Sequence, residues 1–232
     1  MNFHIITIFP QILDSYINES ILKRARVKKI IKIKTHDLRK WTKDKHKTVD
    51  DRPFGGGAGM VLMAKPILKA LSTINSKYQN SKSKTNLKFK NSNSKIVLLS
   101  AKGKKWDQAM AKKYAKLDNL ILICGRYEGV DERIKQFVDT EISVGDYVLT
   151  GGELPAMIIT DSITRLLPGV LGNKESTLHE SHSEKNILEH PHYTRPEVFK
   201  INGRSLKVPK ILLSGDHKKI EGWRKKNSKK IK

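Results

Sequence analysis

The chain has 232 residues, 46 of them Lys or Arg against 23 Asp or Glu, for a formal charge of +23 at pH 7. Its 38% hydrophobic content beside 30% charged residues supports one large packed domain, or a large one with a small companion. No stretch nears the ~18 apolar residues of a membrane span, MNFHIITIFP lacks the basic start and cleavage site of a signal peptide, and the lone Cys124 forms no internal disulfide. What is left is a cytosolic protein with no membrane partner, whose excess positive charge must meet a polyanion, nucleic acid above all.

In chain order, NFHIITIF (2 to 9) predicts a strand, and Pro10 with Ile12, Leu13, Tyr16, Ile17 and Ile21 predicts a helix behind it. A second strand is predicted at 29 to 35. Periodicity fails from Asp37 to Gly59, where TVDDRPFGGGAGM reads as a long ordered loop, and a helix is predicted near Lys65 to Leu71. Strands at 95 to 100, 119 to 124 and 139 to 144 then alternate with helices at about 105 to 117, 130 to 138 and within 153 to 167. That alternation defines an α/β domain with a mostly parallel sheet. Past Pro168 the polar run GNKESTLHESHSEKN predicts a linker, before PHYTRPEV, a strand-like VPKILLSG and a basic tail. The boundaries that follow are 1–167 for the main domain, 168–190 for the linker and 191–232 for the smaller element.

The charge is concentrated. Residues 23 to 47 hold 12 basic and 2 acidic groups, 75 to 95 hold 6 and none, and 217 to 232 hold 8 and 1. These segments account for the whole excess, so the other 170 residues are neutral as a set. In the middle segment 16 of 21 residues are Asn, Ser or Lys, the composition of a disordered insertion. The other two interleave Lys and Arg with Ile30, Ile31, Ile33, Trp41, Ile220 and Trp223, which points to folded elements presenting charge to phosphates.

Three glycine-bearing loops follow predicted strands: LLSAKG (98 to 103), CGRYEG (124 to 129) and SVGDYVLTGGELPA (143 to 156). Strand carboxyl ends are where α/β proteins bind ligands, and glycines let the backbone come close to them. None matches a dinucleotide fingerprint or a P-loop, and ordinary turn chemistry explains any one of them; together they point to one composite pocket. Arg126, Glu128, Asp131, Glu132 and Arg133 crowd around Tyr127. Helix capping and pairing with the arginines account for Asp131 and Glu132, less so for Glu128 between two turns. Asp161 and Arg165 stand one helical step apart, the spacing of a plain ion pair. His179, His182, His190 and His192 lack a Cys cluster or an H-E-x-x-H pattern, so no metal site is assigned. Cys124 reads as small buried filler.

In order and spacing, TVDDRPFGGGAGM (48 to 60), CGRYEGVDERI (124 to 134), SVGDYVLTGGELPAM (143 to 157), LLPGVLGN (166 to 173) and PHYTRPEV (191 to 198) resemble the bacterial tRNA (guanine-N1)-methyltransferase family of TrmD type. The resemblance runs from the first strand to about Trp223. It implies the SPOUT class: an α/β domain with a parallel sheet and a deep trefoil knot, a shortened helical carboxyl-terminal element, and a homodimer with its active site shared across the interface. The activity implied is methyl transfer from S-adenosylmethionine to N1 of the guanosine 3′ of the anticodon of tRNA, position 37. The family's donor-binding positions fall on Leu98, Leu99, Ser100, Gly125, Tyr127, Gly129, Ser143, Val144, Gly145, Tyr147, Leu149, Gly151, Gly152 and Pro155.

Guanine N1 carries a proton and is a poor nucleophile until it leaves, when negative charge spreads onto O6; a carboxylate base and an arginine are the expected pair. The family's arginine falls on Arg165, its guanine-contacting glutamate on Glu128, and its catalytic aspartate on Glu180. Glutamate there is a departure that keeps the carboxylate and lengthens it by one methylene, with Glu184 or His179 as fallbacks. Asp50, Arg52 and Gly57 are RNA-contact candidates. Some enzymes of this type depend on Mg²⁺, for which the sequence offers no identifiable ligand. The family's carboxyl-terminal domain continues for several helices past GWR (222 to 224), so the basic tail and the 23 to 47 stretch are expected to supply phosphate contacts. Two alternatives stay open, a non-catalytic RNA-binding homologue and a SPOUT methyltransferase with a different RNA target.

Overall fold

The first strand, rich in β-branched and aromatic residues, lies in a five-stranded sheet in the computed structural model, which describes residues 1–76, 93–172, 180–184 and 187–231. Two units are resolved, Met1–Gly172 and Asn173–Lys232. The first runs β1 (Asn2–Thr7), α1 (Asp14–Ile17), α2 (Ser20–Val27), β2 (Lys32–Asp37), β3 (Asp50–Asp51), β4 (Val61–Leu62), α3 (Ala64–Ser76), β5 (Ser94–Lys105), α4 (Gln108–Tyr114), β6 (Asn119–Cys124), β7 (Thr140–Ser143) and α5 (Glu153–Thr164). The main sheet has the order β2-β1-β6-β5-β7, and every neighbouring pair is parallel.

Both sheet faces are covered, which is why its strands read as unbroken apolar runs. Along β6, Leu120, Leu122 and Cys124 face a core shared with α2 and α5, while Ile121 and Ile123 face Ile67, Leu71 and Ile74 of α3. The sheet therefore places α5 on one side and α3 on the other, leaving the carboxyl ends of β5, β6 and β7 together at one edge of the core.

Several boundaries differ from the sequence reading for local reasons. β5 does not end near residue 100: after Leu99 pairs with Ile142, residues 100–103 bulge out, and Lys104 and Lys105 rejoin β7. α4 starts at Gln108, because Asp107 caps it by accepting from the Met110 N–H at 2.7 Å. The helix expected at 130 to 138 is a 3₁₀ turn over Glu132–Phe137, opened by an Asp131 cap. Within the loop expected from 37 to 59, a 3₁₀ turn forms at Leu38–Trp41, and β3 pairs with β4. Of the low-complexity stretch, 75–76 end α3 and 94–95 begin β5; residues 77–92 lie outside the described ones.

The second unit is mixed where a helical element was expected. It holds β8 (Ile187–Leu188), β9 (Val198–Ile201), β10 (Arg204–Lys207), α6 (His217–Asn227) and β11 (Lys229–Lys230). β9 and β10 form a hairpin turned by Asn202 and Gly203, both at positive φ, and the strand-like VPKILLSG contains a 3₁₀ turn at Lys210–Leu213. α6 is capped by Asp216 and carries Trp223 within 6.1 Å of the His190 ring and 6.2 Å of the Tyr193 ring.

At the β5 bulge, a Cβ on Gly103 would come 2.5 Å from the Ile142 nitrogen, which is backbone that cannot swing aside. We expect Gly103→Ala to lower stability by about 3 kcal/mol, in the upper range for overpacking, as read by chemical denaturation.

Candidate active site

The three loops anticipated at strand ends meet around one cavity of about 300 Å³. Leu98, Leu99 and Ser100 enter from the bulge of β5; Gly125, Tyr127, Glu128 and Gly129 follow β6; Ser143, Val144, Gly145, Tyr147, Leu149, Gly151, Gly152 and Pro155 follow β7 and enter α5. All fourteen residues assigned by resemblance to donor binding therefore line the same space, with Glu128 among them. Ala101, Lys102, Arg126, Val148 and Thr150 of the same three loops complete the wall, together with Val130, Glu132, Lys135 and Ile142 from outside them.

Close backbone contact builds this wall. The Gly152 N–H donates to the Gly125 carbonyl at 2.9 Å, and a Cβ on Gly152 would sit 2.6 Å from the Cys124 Cα, so residue 152 has no room for a side chain. Tyr127 holds φ +57, a conformation costly for an aromatic residue, in a turn closed by the Gly129 N–H donating to the Arg126 carbonyl at 2.9 Å. The 48 to 60 loop is tied to this turn: the Glu128 N–H donates to Met60 O at 3.0 Å and the Leu62 N–H to Gly129 O at 3.0 Å. The Glu128 side chain lies over Gly59, where a Cβ would meet its carboxylate.

Most of the charge in the wall is paired. Arg126 Nη2 lies 2.9 Å from Glu153 Oε2, and Lys135 Nζ lies 2.6 Å from Glu132 and 3.0 Å from Glu141, contacts that raise the Lys135 pKa. Asp131 caps the 3₁₀ turn and grips Arg133 at 2.6 Å, which lowers its carboxyl pKa; it is structural, as its spacing suggested. Arg126 and Lys135 are thus committed to carboxylates, which leaves Lys102 as the wall cation with no carboxylate within ion-pair distance among the described residues. Glycine backbone, Leu98, Leu99, Val144 and the Tyr127 and Tyr147 side chains make it suited to a largely uncharged, flat and aliphatic ligand. Cys124, at the end of β6, is buried, and burial followed by the Glu153 carboxylate pushes its thiol pKa well up.

Other assigned residues lie elsewhere. Arg165 caps the carboxyl end of α5 and is half-buried. Asp161, one turn before it, lies close to Tyr16, whose pKa is raised by partial desolvation and then by the Asp161 carboxylate. Asp50 and Arg52 stand in and beside β3, and Gly57, at φ +111, belongs to an exposed loop with Phe54. Glu180 and Glu184 belong to the second unit, in a turn where the Ser183 N–H donates to Glu180 O at 2.9 Å; His179 lies outside the described residues. Ser181, next to Glu180, accepts from the Glu189 N–H at 3.1 Å, and Glu189 pairs with His192 at 2.9 Å. Among the described residues no group of three or more His, Cys, Asp or Glu is arranged to hold a metal ion, and no helix is long and apolar enough to cross a membrane.

An α/β sheet with a glycine-walled cavity at its strand ends defines the class as a small-ligand α/β protein. Residues 1–231 match the family model for tRNA (Guanine-1)-methyltransferase TrmD, and the chain belongs to that family. It is 50% identical over 232 residues to a Clostridioides difficile (strain 630) protein named tRNA (guanine-N(1)-)-methyltransferase, covering 100% of this chain and 94% of the relative. A Dictyoglomus turgidum protein of the same name is 46% identical over 228 residues, 98% of this chain and 85% of that one. The crystal structure of tRNA (m1G37) methyltransferase from Aquifex aeolicus superposes with a TM-score of 0.74 at 36% identity, covering 96% of this chain and 87% of that one.

Asp131→Ala removes a cap at the cavity wall and is expected to cost about 1 kcal/mol at pH 7. Because folding depresses the Asp131 pKa, its contribution is present above the ordinary carboxyl pKa of 3.8 and is lost as pH falls through the lower folded value. Denaturation curves of wild type and variant should thus converge at about pH 2 to 3 and separate by pH 5 to 7.

Proposed function

We propose that this chain methylates N1 of guanosine in tRNA, at the position 3′ of the anticodon (position 37), using S-adenosylmethionine. One observation carries the reading: three loops far apart in sequence enclose one glycine-walled cavity in a member of this family. When bound, S-adenosylmethionine supplies an electrophilic methyl group on a sulfonium. The wall fits it, because close-packed glycine backbone offers donors and acceptors to an adenine, the apolar side chains suit its flat faces, and no unpaired cluster of cations repels the sulfonium. Leu98, Leu99, Ser100, Gly125, Tyr127, Gly129, Ser143, Val144, Gly145, Tyr147, Leu149, Gly151, Gly152 and Pro155 are the residues that hold it in this reading.

In the proposed reaction Glu180 takes the N1 proton as general base, Arg165 faces O6 as charge develops there, and Glu128 holds the base. Asp50, Arg52 and Gly57 touch the RNA. Chain threading through a trefoil knot belongs to the same proposal and is supported by the fold shared with the Aquifex structure. A cytoplasmic location belongs to the same proposal, and a homodimer is supported by exposed Ile12 and Tyr16 beside exposed Leu154 and Ile158 of α5, an apolar face on the unit that carries Arg165. No Mg²⁺ ligand is assigned.

Methylation of tRNA transcripts with guanosine or adenosine after the anticodon tests the reading; transfer confined to guanosine is expected, and transfer to neither overturns it. Single-turnover rates of Glu180→Gln should fall by at least about 100-fold, the range for loss of a general base. A wild-type rate removes Glu180 from the chemistry. The exposed cations of α6, Lys218, Lys225 and Lys226 among them, should make tRNA affinity fall steeply with salt, with a shallower slope after removal of residues 225–232.

A further inference from the structure

Four side chains from three separate segments close a ring behind the cavity wall. Thr7 Oγ1, at the end of β1, donates to Glu153 Oε1 at 2.5 Å and accepts from the Phe9 N–H at 2.9 Å. Glu153 pairs with Arg126 at 2.9 Å, and the Arg126 guanidinium carbon lies 4.8 Å from the centre of the Phe9 ring. Arg126 Nη1 also donates to the Thr150 carbonyl at 3.2 Å, while its stem and Nε fill the space a side chain on Gly151 would need. Glu153 is 1% exposed, and Arg126 Nε and Glu153 Oε2 are both buried without a hydrogen-bond partner among the described residues, so the 2.9 Å contact is an ion pair and not an aligned hydrogen bond.

As a source of stability this arrangement is poor. Taking an ion pair out of water costs several kcal/mol per ion, and apolar residues of similar volume often serve a core as well or better. What the pair provides is direction. Arg126 belongs to the loop that carries Gly125, Tyr127 and Gly129; Glu153 is the first residue of α5, directly after Gly151 and Gly152; Thr7 is the last residue of β1, an inner strand of the sheet. Leu122 pairs with Ile5 across β6 and β1, so the ring is referenced to the most buried strands. A carboxylate in the first turn of α5 also meets the positive end of that helix.

We infer that Thr7, Phe9, Arg126 and Glu153 form a positioning ring that holds the loops after β6 and β7 at the spacing the methyl donor requires. The ring acts through the two loops and touches no reacting atom. This rests on the reading that the cavity binds S-adenosylmethionine. It assigns a function in donor affinity to residues behind the wall, three of which, Thr7, Phe9 and Glu153, do not line the cavity.

The test uses the full chain with S-adenosylhomocysteine as probe, titrated calorimetrically, and hydrogen exchange of the protein with no ligand added. In Glu153→Gln, which removes the charge opposite Arg126 and turns the charge-assisted Thr7 bond into a neutral one, the probe should bind about tenfold more weakly. The Gly129 and Gly152 amides, which close the wall, should exchange about tenfold faster while the Ile121 and Leu122 amides of β6 keep their rates. Thr7→Val, which removes a single hydroxyl, should weaken the probe about threefold and carries the test if Glu153→Gln does not fold. Affinity for tRNA should stay at the wild-type value in both. Unchanged probe affinity in a folded variant overturns the inference, as does faster exchange spread evenly through the sheet. Wild-type protein that does not bind the probe overturns the donor reading, and the inference with it.

Discussion

The contact on which the site depends is between two backbones. Gly152 N–H reaches the Gly125 carbonyl at 2.9 Å because neither residue puts a side chain between them, and a methyl group at 152 would strike the Cys124 Cα. Gly151 and Arg126 repeat the approach one residue away as an isolated antiparallel bridge. These contacts fold the segment after β7 back across the end of β6, so that α5 starts beside the strand it covers. The cavity is the space left between the returning segment, the turn at Tyr127 and the bulge of β5.

Electrostatics divides along the same line. Inside the wall, Arg126 and Lys135 are committed to Glu153, Glu132 and Glu141, and the interior of the unit is apolar. The excess cations lie in solvent, on α2, on the segment through β2 and on α6, where exposed pairs such as Lys225 with Glu221 at 3.9 Å contribute little to stability. A protein of charge +23 can thus keep its ligand cavity nearly neutral, because most of the charge on the described residues is borne by exposed side chains away from the cavity wall. Long-range attraction and local selectivity are then independently adjustable.

Much of this was legible in the sequence, and the failures have identifiable causes. β1, β6 and β7 and the helices α3 and α5 announce themselves because a strand buried on both faces leaves a continuous apolar run, and because the glycines sit where strands end. β5 past residue 100 did not, since a bulge of Ser100, Ala101, Lys102 and Gly103 has the composition of a turn. The β9–β10 hairpin was missed although Asn202-Gly203 between apolar runs is a strong turn signal; the basic residues around it masked the alternation. The lining loops were visible as three motifs, but the partner of Arg126 was not. Thr7 and Glu153 are 146 positions apart, and no local pattern pairs a hydroxyl at a strand end with an acid at a helix start. Glu180 marks another boundary, as its role comes from alignment to a family motif and no spacing within its own turn would single it out.

Cys124 has a consequence unrelated to catalysis. It is the chain's one cysteine, buried at the last residue of β6 against the returning backbone at Gly152, with a thiol held protonated by burial. A folded molecule therefore offers alkylating reagents almost no thiolate, and labelling proceeds through openings that separate these two backbones. The sulfur acts as a built-in clock for that seam: its labelling rate counts how often the wall parts, and any molecule that fills the cavity and holds the seam shut slows it.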